Sequence, residues 1–272
     1  MPARSRTRTN ALEEAAGLEH SAPFSGPQSP NRVIRVLETL ATFSDGLSLT
    51  KLGELLEIPK TSLLSLLRAL ESTGYVANSN GTYLLGALSF RLGLIIVSSF
   101  KLTSTLHPLL VALAAQSGET AMLGMLDETR DEACYIDIAQ PNVPVRFFAQ
   151  IGTYRPLYCT AIGRAMLAFQ DESFISRYLG ATKLIKHTPR TVTSPKQLTS
   201  VLERIRAERC VVTLGEYDAT TGAVAAPIFD QKGRARFAVN LAAPVERLKA
   251  REAELTALVK DAGKKFSQVL GY

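Results

Sequence analysis

A proline between two leucine-rich helical patterns, at Ile58-Pro59, constrains this chain more than any other feature. Leu52, Leu55 and Leu56 mark one apolar face before it, and Leu63, Leu66, Leu67 and Leu70 mark another after it. Proline cannot continue the preceding hydrogen-bond ladder but is welcome at the start of a helix, so the chain must stop and restart there. Upstream, Val33, Val36, Leu37 and Leu40 recur at helical spacing, and Ser44-Asp45-Gly46 ends that helix. Thr50 is expected to cap the second helix. The outcome is three short helices, the last two forming a helix-turn-helix.

The third helix has two faces. Its leucines point inward, while Thr61, Ser65, Arg68 and Ser72 fall on the opposite side at 100° per residue. Beyond Gly74, Tyr75-Val76-Ala77 and Tyr83-Leu84-Leu85 flank Asn80-Gly81, the signature of a two-stranded wing. A polar helix face alone is usually a solvated surface. Joined to the proline break and the hairpin, it points to double-stranded DNA. Lys60, Thr61 and Ser62 then grip phosphates, Ser65 and Arg68 approach phosphates or base edges, and Asn80 or Tyr83 touches the flanking backbone or minor groove. Residues 1–100 hold nine basic and eight acidic side chains, so affinity must come from geometry and two linked copies rather than from a basic patch.

Ala87–Phe100 is apolar nearly all round its helical projection and needs cover that a second subunit can supply. Strand-like runs follow at Ala121–Leu126, Ala133–Ala139, Val143–Ile151, Cys210–Leu214, Val224–Ile228 and Phe237–Ala242. Helices are expected from His107 to Gln116, starting at Pro108, and from Val245 to Val269. Short polar turns between paired runs favour an antiparallel sheet flanked by helices. The expected class is α+β, divided into a disordered tail (1–30), a winged helix-turn-helix (31–86), a linker helix (87–103) and a mixed domain (104–272).

Other classes fit poorly. Cys134, Cys159 and Cys210 are odd in number and far apart, which suggests neither a disulfide framework nor a metal site and fits a reducing cytoplasm. Arg4, Arg6 and Arg8 are followed by Glu13, Glu14 and Glu19 rather than an apolar core, unlike a secretory signal. The most apolar window, Tyr83–Phe100, carries Arg91 and barely reaches spanning length, so no membrane association is expected. No glycine-rich phosphate loop is present, and no cofactor is expected. A formal charge of +6 suits a polyanion without establishing one.

The chain resembles the IclR family of bacterial transcriptional regulators from about Asn31 onward. The resemblance is carried by Ile58-Pro59-Lys60-Thr61-Ser62, Leu70-Glu71-Ser72-Thr73-Gly74-Tyr75-Val76, the block Gly152 to Ala165, and Val224-Ala225-Ala226-Pro227-Ile228-Phe229-Asp230. Tyr158-Cys159-Thr160 with Gly163-Arg164 is similar to the branch controlling aromatic-acid degradation. The resemblance implies a homodimer, often paired into tetramers, and a GAF-like effector domain whose occupancy alters DNA binding or engagement of RNA polymerase. Two departures stand out: Leu64-Ser65 replaces a bulky polar pair on the recognition helix, and Glu57 stands where relatives often have glycine.

The family's pocket pattern falls on Ala161, Ile162, Thr213, Ala223, Asn240 and Ala242. Arg155, beside Tyr158, Cys159 and Thr160, is read as lying in a loop entering a helix at Ala161, whose first N–H groups suit a carboxylate effector. Taken alone, Arg155 could instead pair with a surface acid, Cys159 could be a small buried residue, and Asn240 could satisfy neighbouring backbone. A hydrolase using Cys159 or Ser173 with His187, or a small-molecule-binding protein without DNA affinity, is the competing class. No catalytic motif surrounds these residues, and an enzyme is not expected.

Overall fold

The computed structural model describes residues 28–99 and 101–272, and their side chains except those of 28 and 97–104. Residues 1–27, which make up most of the expected tail, lie outside the described residues. Two compact units divide between Lys101 and Leu102.

In the first unit, α1 (Gln28–Thr42) begins three residues before the expected start. A two-residue strand β1 (Leu47–Ser48) precedes α2 (Leu49–Leu56). Ser48, not Thr50, caps α2, its hydroxyl accepting from the Lys51 amide at 3.3 Å. Thr50 lies exposed inside the first turn. Glu57 ends α2 in the left-handed conformation, φ 54°, which glycine adopts without steric cost. Pro59 then caps α3 (Lys60–Ser72), whose first backbone bond runs from the Leu63 amide to the Pro59 carbonyl.

Strands β2 (Val76–Ser79) and β3 (Thr82–Leu85) form the wing. Asn80 and Gly81 both have positive φ, 53° and 85°, as a tight primed hairpin turn requires. The pairing of β1 with β3, which a two-residue run gave no pattern to reveal, completes a three-stranded sheet. Val36, Leu40, Leu52, Leu56, Leu63, Leu67 and Tyr83 form the core of this unit. Helix α4 (Ala87–Ser99) follows.

In the second unit, α5 (Lys101–Ser117) carries Pro108 in its interior rather than at its start. A six-stranded, wholly antiparallel sheet has the order β6-β5-β4-β9-β8-β7. Its strands are β4 (Thr120–Asp127), β5 (Glu132–Ala139), β6 (Tyr154–Pro156), β7 (Val211–Leu214), β8 (Thr221–Ile228) and β9 (Phe237–Pro244). Val143–Ile151 is not a strand. Pro141 and Pro144 have no N–H to offer a ladder, and carbonyls of the segment are taken by side chains: Thr120 donates to Phe147 and Arg247 to Val145.

One sheet face packs on α6 (Ala161–Leu167), α7 (Glu172–Ala181) and α8 (Pro195–Glu208). The other packs on α5, α9 (Val245–Ala250) and α10 (Glu252–Val269), the expected last helix being broken at Arg251. No helix among the described residues is long and apolar enough to cross a membrane.

Candidate functional site

Each unit presents a candidate site. On α3, Leu63 and Leu67 are 0% exposed and Leu70 is buried, which anchors one side of the helix to the core. Lys60, Thr61, Ser65, Arg68 and Ser72 are exposed, and Ser62 and Leu64 are half-buried at its margin. Arg68 forms no ion pair among the described residues. The face is therefore hydroxyl-rich, cationic at two positions, and unobstructed within its unit. Asn80 is exposed at the wing tip, where the Gly81 amide donates to Asn78 at 2.9 Å. Tyr83 is corrected: its ring is in the core, opposite Leu47 and Asn78 in the sheet, and not on the groove-facing side of the wing.

In the second unit a cavity of about 100 Å³ lies between the sheet and the start of α6. Sequence patterning explains why it is hollow. The strand positions facing it include Ala223 on β8 and Ala242 on β9, whose side chains stop at Cβ and leave volume that larger residues would fill. Helix α6 is drawn tightly against the sheet and the preceding loop. A Cβ on Gly124 would stand 2.4 Å from Ile162, and one on Gly163 would stand 2.8 Å from the Leu157 carbonyl oxygen.

Arg155, Cys159, Thr160, Ala161, Ile162, Thr213, Ala223, Asn240 and Ala242 all line this cavity. Tyr158 does not. It is buried behind the wall, its hydroxyl donating to the Ile185 carbonyl at 2.8 Å and its amide donating to the Tyr178 hydroxyl. Tyr135, Phe147, Glu216, Tyr217, Asp218 and Thr221 complete the wall without having been expected. They come from β5, the start of β8, one irregular segment and the turn from β7 into β8, which no local pattern joins.

Arg155 is on strand β6 opposite Ala133, not in a loop. Its guanidinium lies 5.7 Å from the Tyr135 ring and 5.4 Å from the Tyr217 ring, and it has no carboxylate partner among the described residues. The start of α6 is capped internally, the Thr160 hydroxyl accepting from Gly163 at 3.2 Å. The cation, more than the helix end, is what an anion meets.

Glu216 is already engaged by Arg164, and Asp218 accepts from the Thr220 amide and hydroxyl. Cys159 is 0% exposed, and burial pushes its thiol up to about 12, so it faces the cavity as a neutral, weakly polar group. Ser173 donates to Asp171 in the cap of α7, and His187 stacks on Tyr158. Among the described residues no cluster of three His, Cys, Asp or Glu is placed to hold a metal.

The model of the IclR helix-turn-helix domain matches residues 29–79, and that of the bacterial transcriptional regulator IclR C-terminal domain matches residues 95–268. The transcriptional repressor IclR of Escherichia coli is 29% identical, over 92% of this chain and 93% of its own. Among solved structures, an IclR transcriptional regulator from Alicyclobacillus acidocaldarius has a TM-score of 0.80 at 27% identity, covering 90% of this chain and 99% of that one. The Thermotoga maritima IclR has a TM-score of 0.75 at 25% identity, covering 90% and 99%.

Proposed function

Because the chain belongs to the IclR family of DNA-binding transcriptional regulators, we propose that it binds a pseudo-palindromic operator as a dimer, or as a tetramer of paired dimers, and senses a small carboxylate. The observation that carries the DNA half is the division of α3, with Leu63 and Leu67 fully buried and Thr61, Ser65, Arg68 and Ser72 open to solvent. In each subunit α3 enters a major groove, the two copies standing about 34–36 Å apart along the duplex. Lys60, Thr61 and Ser62 hold phosphates, Ser65 and Arg68 meet base edges or phosphates, Leu64 offers a contact to a thymine methyl, and Asn80 and Thr50 touch flanking backbone.

The cavity supplies the sensing half. The Arg155 guanidinium, which donates to the Tyr154 carbonyl at 2.9 Å and has no carboxylate partner among the described residues, takes the carboxylate, and Tyr135, Phe147 and Tyr217 give an aromatic acid rings to lie against. The ligand shifts operator affinity, or contact with RNA polymerase, only as far as its affinity differs between the two subunit arrangements. Three buried, unpaired cysteines suit the reducing cytoplasm where such a regulator works.

The test is a mobility-shift titration on the DNA upstream of its own gene, with and without aromatic acids, at two salt concentrations. A sequence-specific complex that weakens as salt rises, and responds to an acid, is expected. If no promoter fragment shifts at low salt, the chain is instead a ligand-binding protein or hydrolase without DNA affinity.

A further inference from the structure

We propose that the second unit carries another ligand site, a cationic cleft built on α8, β8 and α10, and that this cleft binds a small phosphorylated molecule. The cleft, of about 430 Å³, lies where the ends of α8 and β8 meet α10. It shares no wall residue with the cavity at the start of α6. Clefts of ~300–1,000 Å³ are of the size that takes metabolites.

Its charge is one-sided. Lys260 and Lys264 are four residues apart on α10 and so share one helix face, the first half-buried and the second exposed. Arg209 joins them from the residue that ends α8. None of the three forms an ion pair among the described residues, and Asp261, next to Lys260 in sequence, pairs with Lys265 instead. Glu208 is the one acidic side chain in the wall.

Arg209 is placed there against its own backbone preference. Its φ is 52°, the left-handed region that glycine occupies without steric cost at the end of many helices. The guanidinium stands 5.1 Å from the centre of the Phe229 ring. That ring is itself fixed, edge-on to Phe169 at 4.9 Å and stacked on Tyr272 at 5.0 Å, with the Phe229 amide donating to the Ser267 hydroxyl at 3.0 Å. An aromatic face steadies a cation without neutralising it, so the N–H groups of Arg209 stay available to a ligand.

The cations select the ligand class. A planar guanidinium fork and two ammonium groups supply charged donors for every terminal oxygen of a phosphate monoester, which carries close to two negative charges at neutral pH. A monocarboxylate brings one charge and two oxygens, and leaves the cleft with unmet positive charge. A bare phosphate leaves most of the volume empty, whereas a sugar phosphate occupies it and offers hydroxyls to Gln268 and Glu208 in the wall.

The experiment is calorimetric titration of the full chain, in chloride buffer, with ribose 5-phosphate, ribose, inorganic phosphate and succinate. Ribose 5-phosphate should bind with a Kd below about 1 mM and at least tenfold more tightly than inorganic phosphate or succinate, while ribose should give no binding heat. Lys260→Gln with Lys264→Gln should weaken ribose 5-phosphate at least tenfold. Arg209→Gly should weaken it likewise while the thermal midpoint holds or rises, because glycine suits the backbone there; a fall in the midpoint with binding intact would make this arginine structural and overturn its role. The wild-type series does not depend on any variant folding. No binding of ribose 5-phosphate at about 10 mM overturns the proposal. Equal binding of inorganic phosphate overturns the phosphorylated molecule, and equal binding of succinate overturns the phosphate class. Binding that survives the cleft variants but is lost in Arg155→Met belongs to the other cavity and overturns the placement. None of these outcomes bears on the carboxylate reading of that cavity.

Discussion

The Arg164 guanidinium, 2% exposed, pairs through two nitrogens with the Glu216 carboxylate at 3.0 and 2.5 Å, joining α6 to the turn between β7 and β8. Its Nε donates to the Tyr158 carbonyl, and the Thr188 and Thr191 hydroxyls donate to the Gly215 and Glu216 carbonyls. One wall of the cavity is thus fixed up to Glu216, while Tyr217 to Thr220 project to solvent. The mouth is built on a rigid root.

Breaking this pair from one side should unfold the second unit readily. Arg164→Met leaves Glu216 largely buried without a counter-charge, a loss of about 3–5 kcal/mol. Thermal unfolding followed by circular dichroism should show a midpoint lower by about 10 °C. The double variant Arg164→Met with Glu216→Leu should recover most of that loss, since it removes both charges together. If the single variant melts with wild type, the pair is not the brace described.

The two faces of α3 predict opposite phenotypes from neighbouring residues. Leu67→Ala empties a fully buried position and should destabilise the DNA-binding unit by about 2–5 kcal/mol. Arg68→Ala, one residue on, should alter stability by under about 0.5 kcal/mol and yet weaken operator binding by tenfold or more. Chemical denaturation and mobility shift on the same preparations separate the two. Loss of stability at Arg68 would mean that its face is packed, not open.

Helix α4 exposes Phe90 at 71% and Leu94 at 55%, with Leu88 and Leu92 also open within their unit. Water-exposed apolar surface of that extent is expected to be covered by a second copy. Phe90→Glu with Leu94→Glu should therefore shift the sedimentation-equilibrium mass toward the monomer and reduce operator affinity at least a hundredfold, because the two recognition helices no longer act together. An unchanged mass would place the subunit contact elsewhere.

Local chemistry made parts of the fold readable in advance and hid others. The leucine stripe of α3, the break at Pro59 and the Asn80-Gly81 turn are each enforced within a few residues, and all three stand where the pattern puts them. Tyr83 misled because an aromatic on a wing suits a groove contact and a core equally well. Here the pairing of β3 with β1 turns it inward. The alternating Val143–Ile151 resembles a strand, but its carbonyls are met by Thr120 and Arg247 from distant elements. The cavity was half visible. Ala223, Asn240 and Ala242 were found through a family pattern, whereas Tyr135, Glu216 and Tyr217 meet the others only when the sheet closes.

Cys159 offers a check on the cavity that needs no knowledge of the ligand. Burial pushes its thiol up to about 12 from an ordinary 9.0, and that of Cys210 up to about 11. Since the folded chain holds these protons more tightly than the unfolded chain, their contribution to stability is complete below pH 9.0 and is lost as pH rises toward 11 and 12. Burial likewise raises the Tyr158 and Tyr178 hydroxyls, which adds to the same alkaline loss. The thermal midpoint should accordingly be level across neutral pH and fall steeply above about pH 9. In the native state at neutral pH, iodoacetamide should label Cys159 at least a hundredfold more slowly than in denaturant, because a neutral, enclosed thiol is neither nucleophilic nor reachable. Any acid that enters the cavity should slow the labelling further, and Tyr217→Ala, which opens the mouth, should speed it. Rapid native labelling of Cys159 that no acid affects would mean that the wall around it is not closed.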